Sequence, residues 1–136
     1  MNIVIDVNII LSALLRDSLT REILLTSEFD FYFPEPSLQK IRKYQDYILK
    51  KSRVSEKEYR TVLTALLIRI KIVSTEEIIE NFGLAKQIME EIDPEDVTFI
   101  ATALSMNNSV IWSDDKDFDK QDTVIILKTH QMKELS

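Results

Sequence analysis

The 136-residue chain has no cysteine, and it contains one histidine, one glycine and three prolines. Without cysteine there can be no disulfide, thiolate nucleophile, iron–sulfur cluster or cysteine-bound zinc. A single histidine excludes a zinc site of the His-Glu-x-x-His type. A single glycine excludes both the dinucleotide-binding fingerprint and the P-loop, each of which needs more than one. Any metal chemistry must therefore use oxygen ligands, chiefly the 23 carboxylates of aspartate and glutamate.

The remaining composition is that of an ordinary globular protein, with 45% hydrophobic and 29% charged residues. The length fits one domain, so we expect a single domain over residues 1–136. The formal net charge of −6 gives no general attraction for a polyanion, and nucleic acid would need a local site. The one local shift in composition is a basic cluster, made of Lys40, Arg42, Lys43, Lys50, Lys51 and Arg53.

Long apolar runs are also missing. No run approaches the length of about 20 residues that a membrane span needs. The first residues of the chain have no basic region followed by an apolar stretch of signal-peptide length. We therefore expect a cytoplasmic protein that does not associate with a membrane.

Short runs of β-branched and aromatic residues predict strands. Helical segments separate most of these runs, which is typical of an α/β fold with a parallel sheet. We expect a three-layer α/β/α sandwich of Rossmann-like topology around a parallel sheet of about five strands. The predicted strands occupy residues 3–5, 29–33, 70–73, 109–112 and 123–127.

Apolar spacing and capping signatures predict the helices between the strands. Ser55-x-x-Glu58 is a capping box, and Asp93 followed by Pro94 is a typical helix start. The first predicted helix occupies residues 8–15, and the second begins at Asp17 and Ser18. A third begins at Ser37 and has Leu38, Ile41, Tyr44 or Tyr47, and Ile48 on its apolar face, and a fourth follows Ser55 and packs through Tyr59, Val62, Leu63, Leu66 and Leu67. The last two occupy residues 75–91, with a break near Gly83, and residues 94–106.

Aspartates stand at the ends of elements that would share one edge of this sheet. Asp6 follows the first strand, and Asp114 and Asp115 follow the fourth. A helix that leads into a parallel strand runs antiparallel to it, so the helix start that carries Asp93 and Asp96 lies at the same edge. If strands one and four are neighbours, these acids converge. Because crowded carboxylates repel one another unless a cation lies between them, the pattern predicts a divalent metal site.

An oxygen-only ligand set favours Mg²⁺ or Mn²⁺, which are hard ions that commonly bridge to phosphates. The chemistry that this implies is phosphodiester hydrolysis, in which the metal lowers the pKa of a bound water and offsets the charge of the transition state. His130 lies near the far end of the chain, so we expect it at the surface rather than in a base role. Trp112 is expected in the core.

Structural explanations compete with functional ones for several of these residues. An acid directly after a buried strand is costly unless it is paired or metal-bound, which favours a functional role for Asp6. Asp96 has an alternative as a favourable charge at a helix start, and Asp93 is better explained as a helix cap. Asn8 has two candidate roles, to cap the first helix or to hold an attacking water, and the cap with a supporting contact is favoured. Three further acids are expected to be solvated turn residues, namely Asp117, Asp119 and Asp122.

Three stretches of the chain, taken in order, resemble a PIN domain, the nuclease fold shared by many bacterial and archaeal toxins of toxin–antitoxin pairs. The stretches are Ile3-Val4-Ile5-Asp6-Val7-Asn8, Asp96-Val97-Thr98-Phe99-Ile100-Ala101-Thr102-Ala103 and Ile111-Trp112-Ser113-Asp114-Asp115-Lys116-Asp117-Phe118. The resemblance implies that Asp6, Asp96 and Asp115 are catalytic, metal-binding acids. It also implies supporting roles for Asn8 and Ser113 and a place at the rim for Asp117, and the topological argument adds Asp93 and Asp114 to the supporting set.

The family pattern also has a glutamate in the helix after strand two, usually just before a leucine or isoleucine. Here that stretch reads Ser37-Leu38-Gln39-Lys40-Ile41, so Lys40 stands at the matching position with Gln39 beside it. A lysine there would partly replace the ion that a glutamate helps to bind, which predicts weakened activity. Glu35, which lies between two prolines, is the alternative source of a fourth acid.

Two functions fit these observations. The first is a Mg²⁺- or Mn²⁺-dependent ribonuclease with an RNA substrate, in its narrower form a toxin restrained by an antitoxin protein. The second is a non-catalytic PIN-fold module that binds nucleic acid or protein. A phosphoryl-transfer enzyme of the haloacid dehalogenase type fits poorly, because Asn8 stands where such an enzyme needs a second aspartate, and the acids near Asp6 do not fit a receiver domain either. Apolar surface on the helices of residues 38–49 and 62–67, together with family habit, predicts a homodimer.

Overall fold

The computed structural model describes residues 1–16 and 18–136 of the chain. Its strands are β1 (Asn2–Ile5), β2 (Asp30–Pro34), β3 (Ile70–Val73), β4 (Ser109–Trp112) and β5 (Ile126–Leu127). They form one sheet in the order β3-β2-β1-β4-β5, and every neighbouring pair is parallel. The predicted five-stranded parallel sheet is therefore confirmed, with β1 in its centre beside β4.

Helices cover both faces of this sheet and complete the predicted three-layer α/β/α sandwich. The helices are α1 (Val7–Leu15), α2 (Leu19–Thr26), α3 (Leu38–Lys43), α4 (Gln45–Ser52), α5 (Glu56–Arg69), α6 (Thr75–Ile78), α7 (Phe82–Met89), α8 (Val97–Leu104) and α9 (Thr129–Leu135). Helices α6, α7 and α8 pack together in one layer, and α1 packs against α2, α4 and α5 in the other. Asp17, expected at the start of α2, lies outside the described residues, and Ser18 caps that helix.

The core lies between the sheet and its two helical layers. Residues of β1 are buried on both faces, which explains why Ile3, Val4 and Ile5 form an unbroken apolar run instead of alternating with polar residues. Trp112 at the end of β4 is fully buried, as expected, and its ring lies 6.0 Å from that of Phe31. His130 is exposed, also as expected.

The sheet has its topological switch point between β1 and β4. From β1 the chain adds β2 and then β3 on one side, whereas β4 and β5 lie on the other side. Ile5 pairs with Trp112, and the backbone N–H of Asp6 donates to the carbonyl of Trp112 at 3.1 Å. The residues that follow these two strands therefore leave the sheet side by side. In open α/β sheets the crevice at this point is the usual ligand site.

The end of the chain differs from the prediction in two ways. Strand β5 is only Ile126–Leu127, and helix α9 was not predicted. The strand is short because the side chain of Gln121 forms hydrogen bonds with backbone groups that precede the strand. Its Oε1 accepts from the N–H groups of Thr123 and Val124, and its Nε2 donates to the carbonyl of Val124. Helix α9 has a local signal, since the Gln131 side chain accepts from the N–H of Lys128.

Several predicted helices are shorter or more divided than expected. The helix after Asp93 starts with a 3₁₀ turn over Pro94–Asp96 and ends at Leu104. The segment 75–91 is interrupted by a 3₁₀ turn at Ile79–Asn81, which lies before Gly83. Neither of the two alternatives for one apolar position is buried, since Tyr44 is 40% and Tyr47 is 56% exposed. Leu67, which was also predicted to pack, is 38% exposed. Within the described part of the chain, no helix is long and apolar enough to cross a membrane.

Candidate metal centre

Asp6 is the first residue after β1, and it is a buried carboxylate with a fixed partner. Only 2% of the residue is exposed. Its Oδ2 accepts a hydrogen bond of 2.7 Å from the hydroxyl of Ser113, the first residue after β4. Burial raises the pKa of Asp6, and the charge of Asp115 adds to that effect, whereas the Ser113 hydroxyl and the nearby backbone N–H groups of Asn8 and Val7 lower it. The neighbouring strands β1 and β4 thus bring two predicted site residues into direct contact.

Asp96, at the start of α8, is a buried carboxylate without such a partner. The residue is 7% exposed, and its Oδ2 is buried with no hydrogen-bond partner among the described residues. It does not cap α8 through its side chain, so capping does not explain why an acid stands there. Burial, followed by the charges of Asp93, Asp6 and Asp115, raises the pKa of Asp96 to about 8. A carboxylate oxygen left unpaired in this way is costly unless a cation compensates it.

Asp115 belongs to the loop that follows β4, and hydrogen bonds hold this loop against β1. The N–H of Asp115 donates to the Ser113 hydroxyl at 3.0 Å, so the same hydroxyl contacts both Asp6 and the Asp115 backbone. Oδ1 of Asp115 accepts from the N–H of Asp117 at 2.9 Å and so caps the short 3₁₀ helix Lys116–Lys120. Ser113 therefore connects two of the predicted metal-binding acids, in keeping with the supporting role inferred for it.

Four carboxylates form the tightest acidic group. Each of Asp93, Asp96, Asp115 and Asp117 offers one oxygen, and these oxygens all lie within 4.8 Å of one another. Asp93 also caps the helix start as expected, because its Oδ1 accepts from the N–H of Glu95 at 3.0 Å. Asp117 was expected as a solvated turn residue at the rim; it is half-buried and pairs with Lys120 at 3.0 Å. Of the other two predicted turn residues, Asp122 is exposed, and Asp119, also exposed, pairs with Lys128.

Asp6 borders this group, since its charge contributes to the raised pKa of Asp96. Asp6, Asp96 and Asp115 also line one cavity together with Asp93. The structure thus brings together at one edge of the sheet the acids from three separate parts of the chain.

Asp114 has a different environment from its neighbour Asp115. Both of its carboxylate oxygens accept from Thr129, one from the backbone N–H at 2.9 Å and the other from the hydroxyl at 2.6 Å. The same hydroxyl accepts from the indole N–H of Trp112 at 3.0 Å. Asp114 therefore attaches the start of α9 to the end of β4.

The predicted cap at Asn8 is wrong. Helix α1 begins at Val7, so Asn8 lies inside the first turn, and its side chain is exposed. Asp6 is the residue before the helix, and its side chain makes no capping hydrogen bond. Asn8 still lines the cavity beside Asp6 and Asp115, where its amide is available to a bound molecule.

Lys40 lines the same cavity as the acids, whereas Gln39 is exposed and does not. The helix therefore presents position 40 to the site. The Lys40 ammonium lies 5.8 Å from the ring centre of Phe99, and among residues 1–16 and 18–136 it forms no ion pair with a carboxylate. That this lysine partly replaces the ion through its charge stays a prediction. Glu35 does not supply the fourth acid, because its Oε1 accepts from the N–H and hydroxyl of Thr75.

The cavity of about 990 Å³ next to the acids has a second wall that sequence reasoning missed. This wall belongs to α3 and α4, and Arg16 from the end of α1 and Glu95 lie at the same cavity. The basic cluster and the tyrosines were visible in the sequence, but helical spacing alone does not say which side of a helix faces a site. The cavity residues contributed by α3, by α4 and by the junction between them are Lys40, Lys43, Tyr44, Tyr47, Ile48, Lys51 and Ser52.

The donor set fits a hard divalent ion. All candidate ligands are carboxylates, and one of their oxygens is buried and unpaired among the described residues. The charges of Asp93, Asp6 and Asp115 add to burial in raising the pKa of Asp96, as expected where a cation is needed between the acids. The residues that could hold the ion are Asp96 and Asp115. Carboxylate oxygens of Asp93 and Asp117 lie within 4.8 Å of theirs, and Asp6 borders the group.

These features place the chain in the class of open α/β proteins whose ligand crevice lies at the carboxyl edge of the sheet, here beside an acidic cluster. The family model of the PIN domain matches residues 4–134, and the chain belongs to the PIN domain family. Its fold is accordingly of the nuclease type, and PIN domains generally depend on divalent metal ions. No curated protein matches the chain.

Proposed function

We propose that the protein is a Mg²⁺- or Mn²⁺-dependent ribonuclease that hydrolyses phosphodiester bonds in RNA. The observation that supports this most directly is the buried, unpaired Oδ2 of Asp96 inside a group of carboxylate oxygens within 4.8 Å of one another. Family membership supplies the nuclease-type fold around it. In this proposal Asp6, Asp96 and Asp115 hold the metal, and Asp93 and Asp117 lie next to it.

A divalent ion bound by these acids supplies a water of lowered pKa and offsets the charge that develops on the phosphate. The residues of the chain fix the geometry for that chemistry. The Ser113 hydroxyl orients Asp6 through a bond of 2.7 Å and holds the Asp115 backbone at 3.0 Å. Asn8 and Lys40 are two of the polar residues that line the cavity beside the acids and can contact the phosphate or its sugar.

The narrower proposal is that the ribonuclease is a toxin restrained by an antitoxin, acting in the cytoplasm as a homodimer. The resemblance of the three sequence stretches supports the toxin role. Exposed apolar side chains on the helices, such as Leu67 and Ile68 of α5, support association with another chain. A small open reading frame directly upstream of the gene would favour the antitoxin, and sedimentation at micromolar concentration tests the dimer: a single species near 15.9 kDa would contradict it.

The central experiment measures cleavage of a structured RNA and an unstructured RNA with Mn²⁺, with Mg²⁺ and with EDTA. We expect cleavage only with metal, and Asp96→Asn should reduce it by about a hundredfold or more, because changes to groups that merely support a metal ligand already cost about 10- to 100-fold. The matched control is Asp122→Asn, which removes the same charge from an exposed acid outside the cluster.

Cleavage that persists in EDTA, or that Asp96→Asn leaves intact, would contradict the metal-dependent mechanism. If neither metal produces cleavage of any RNA while RNA still binds, the non-catalytic binding module becomes the better description. Lys40 is the observation that favours this alternative, since it places a positive charge where family members have a carboxylate.

A further inference from the structure

The loop of residues 113–120, which follows β4, carries four acids, and the structure divides them into two pairs. Asp115 and Asp117 each have an oxygen in the four-carboxylate group. Asp114 and Asp119 instead contact residues at the start of α9. Helix α9, which the sequence did not predict, thus binds the two acids of the loop that are not in the group.

Thr129, the first residue of α9, binds both the loop and the end of β4. Its backbone N–H donates to one oxygen of Asp114 at 2.9 Å, and its hydroxyl donates to the other at 2.6 Å. The same hydroxyl accepts from the indole N–H of Trp112 at 3.0 Å. Thr129 therefore holds the chain on both sides of Ser113.

Lys128 makes a second attachment beside the first. Its ammonium pairs with Oδ2 of Asp119 at 2.9 Å and lies 3.4 Å from the carbonyl oxygen of Asp115. Only 22% of the Lys128 side chain is exposed, so water screens this ion pair less than a fully exposed one. The start of α9 is thus attached to the loop on both sides of its two cluster acids.

These attachments oppose a force that the cluster itself creates. Asp93 and Asp96 stand at the start of α8, whereas Asp115 and Asp117 belong to the loop, and oxygens of all four lie within 4.8 Å of one another. Like charges at this distance repel, so without a cation the loop is pushed away from α8. Contacts that tie the loop to α9 resist this movement.

We propose that Thr129 is a positioning residue of the metal site, which keeps the Asp115 carboxylate in the acidic group before an ion arrives. It acts through Asp114, and Lys128 assists it through Asp119. A ligand that is already in place loses less conformational freedom when the ion binds, which strengthens binding. The inference rests on the proposed function, in which Asp115 holds the metal.

The first experiment measures Mn²⁺ affinity by calorimetry. Thr129→Val removes the hydroxyl but keeps the size of the side chain, and we expect affinity to fall about tenfold. This is the lower end of the range for groups that support a metal ligand, because Thr129 acts through Asp114 rather than on Asp115 directly. Thr129→Ser should retain the affinity of wild type, because it keeps the hydroxyl.

Thr75→Val is the matched control. The N–H and hydroxyl of Thr75, the first residue of α6, also both donate to a carboxylate, that of Glu35, at 3.2 Å each. Among the described residues, neither Thr75 nor Glu35 lines the cavity. Thr75→Val should therefore leave Mn²⁺ affinity unchanged. A purely structural role for Thr129 predicts that neither valine variant alters affinity, and melting temperatures establish that each variant is folded.

The second experiment measures hydrogen exchange at the backbone N–H of Asp117 in EDTA. This N–H donates to Oδ1 of Asp115 at 2.9 Å, so its exchange reports whether the loop keeps its conformation without metal. Thr129→Val and Lys128→Gln should each speed exchange several-fold, and Thr75→Val should not. Lys128→Gln is read by exchange alone, because the loss of a positive charge itself strengthens the attraction for a cation.

If Thr129→Val does not fold, Asp114→Asn tests the same contact from its exposed partner. Asp122→Asn removes the same charge elsewhere, so Asp114→Asn should bind Mn²⁺ more weakly than Asp122→Asn does. Equal affinity in these two variants would overturn the proposal.

The proposal is also overturned if Thr129→Val binds Mn²⁺ as wild type does, if Thr75→Val weakens binding equally, if Thr129→Ser does not retain affinity, or if exchange at Asp117 is the same in wild type and Thr129→Val. Wild type that binds no Mn²⁺ overturns it as well. Failure of the ribonuclease function is separate, since it appears as absent RNA cleavage by a wild type whose Mn²⁺ affinity still depends on Thr129.

Discussion

The cavity has two walls that are built in different ways. The acidic wall consists of buried or half-buried carboxylates at the ends of β1 and β4 and at the start of α8, and hydrogen bonds from Ser113 hold it in place. The other wall, the lysine–tyrosine face, consists of the exposed side chains of Lys43, Tyr44, Tyr47 and Lys51, and the Lys43 ammonium lies 5.8 Å from the ring centre of Tyr44.

Under the proposed function, the difference between the walls corresponds to two tasks. A metal ion needs ligands that are fixed before it arrives, and the buried hydrogen bonds of the acidic wall provide this at the cost of carboxylates with raised pKa values. A polymer of variable sequence needs contacts that adapt, which long lysine side chains and exposed rings provide. Changes to the acidic wall should therefore affect ion binding and catalysis, whereas changes to the lysine–tyrosine face should affect substrate binding alone.

The largest expected effect within the acidic wall is at Asp6. Mn²⁺ should raise the melting temperature of wild type, because an ion that binds only the folded state stabilises it by about 2.7 kcal/mol at a hundred times its dissociation constant. Asp6→Asn should abolish this shift. Asp117→Asn should weaken it only, because Asp117 already pairs with Lys120. Thermal melts with and without Mn²⁺ measure the shift for each variant. A larger loss of the shift in Asp117→Asn than in Asp6→Asn would place the ion in the four-carboxylate group without Asp6.

Ser113→Ala should have the next largest effect, since one hydroxyl serves both Asp6 and Asp115. Removal of such a supporting group typically lowers metal affinity by about 10- to 100-fold. Titration of Mn²⁺ by calorimetry measures the affinity. Ser109→Ala is the matched control, because Ser109 lies at the other end of β4 and its hydroxyl bonds to the carbonyl of Ala103. Equal affinity in wild type and Ser113→Ala would mean that the hydroxyl does not position the acids.

Lys40→Glu should increase Mn²⁺-dependent RNA cleavage by several-fold, on the order of tenfold at most. The formal charge of Asp6, Asp96, Asp115 and position 40 changes from −2 with lysine to −4 with glutamate, which strengthens the attraction for divalent ions. Gln39→Glu is the control, since that side chain is exposed and lies outside the cavity. Strong cleavage by wild type, unchanged in Lys40→Glu, would show that a fourth acid is not needed.

A further expected effect in the acidic wall is a pH dependence of stability in EDTA. The pKa of Asp96 is about 8 in the folded chain and near 3.8 in the unfolded chain, so between these values the folded state keeps a proton that the unfolded state has lost. Stability should therefore fall as the pH rises from about 4 to about 8. Urea unfolding at several pH values measures this slope. Asp96→Asn should flatten it, and Asp122→Asn should not; an unchanged slope in Asp96→Asn would contradict the raised pKa.

Much of the acidic wall could be predicted from the sequence because each acid stands at the boundary of a strongly patterned element. Three sequence signals show which end of each element carries the acid. They are the apolar run before Asp6, the helix-start signal at Asp93 and Pro94, and the apolar run before Asp115. Parallel topology then brings those ends to one edge. The structure confirmed the sheet order on which this reasoning depended.

Other features could not be predicted from local sequence patterns. Asp114 and Asp115 are adjacent and chemically identical, yet one bonds to Thr129 and the other joins the acidic group. The shortened β5 follows from the side chain of Gln121, whose bonds to the backbone of Thr123 and Val124 depend on how the loop folds back. Such choices are made by contacts that form only after the elements have packed.

The sequence by itself determined the α/β class, the aspartate that directly follows the first strand and the oxygen-only character of any metal site, because composition and hydrophobic period do not depend on how the elements pack. The tertiary structure alone decided which face of α3 and α4 meets the acids, that Lys40 rather than Gln39 faces them, and that Asp96 keeps an unpaired buried oxygen. These are properties of distance and burial between segments far apart in the chain, and they exist only once the helices are docked on the sheet.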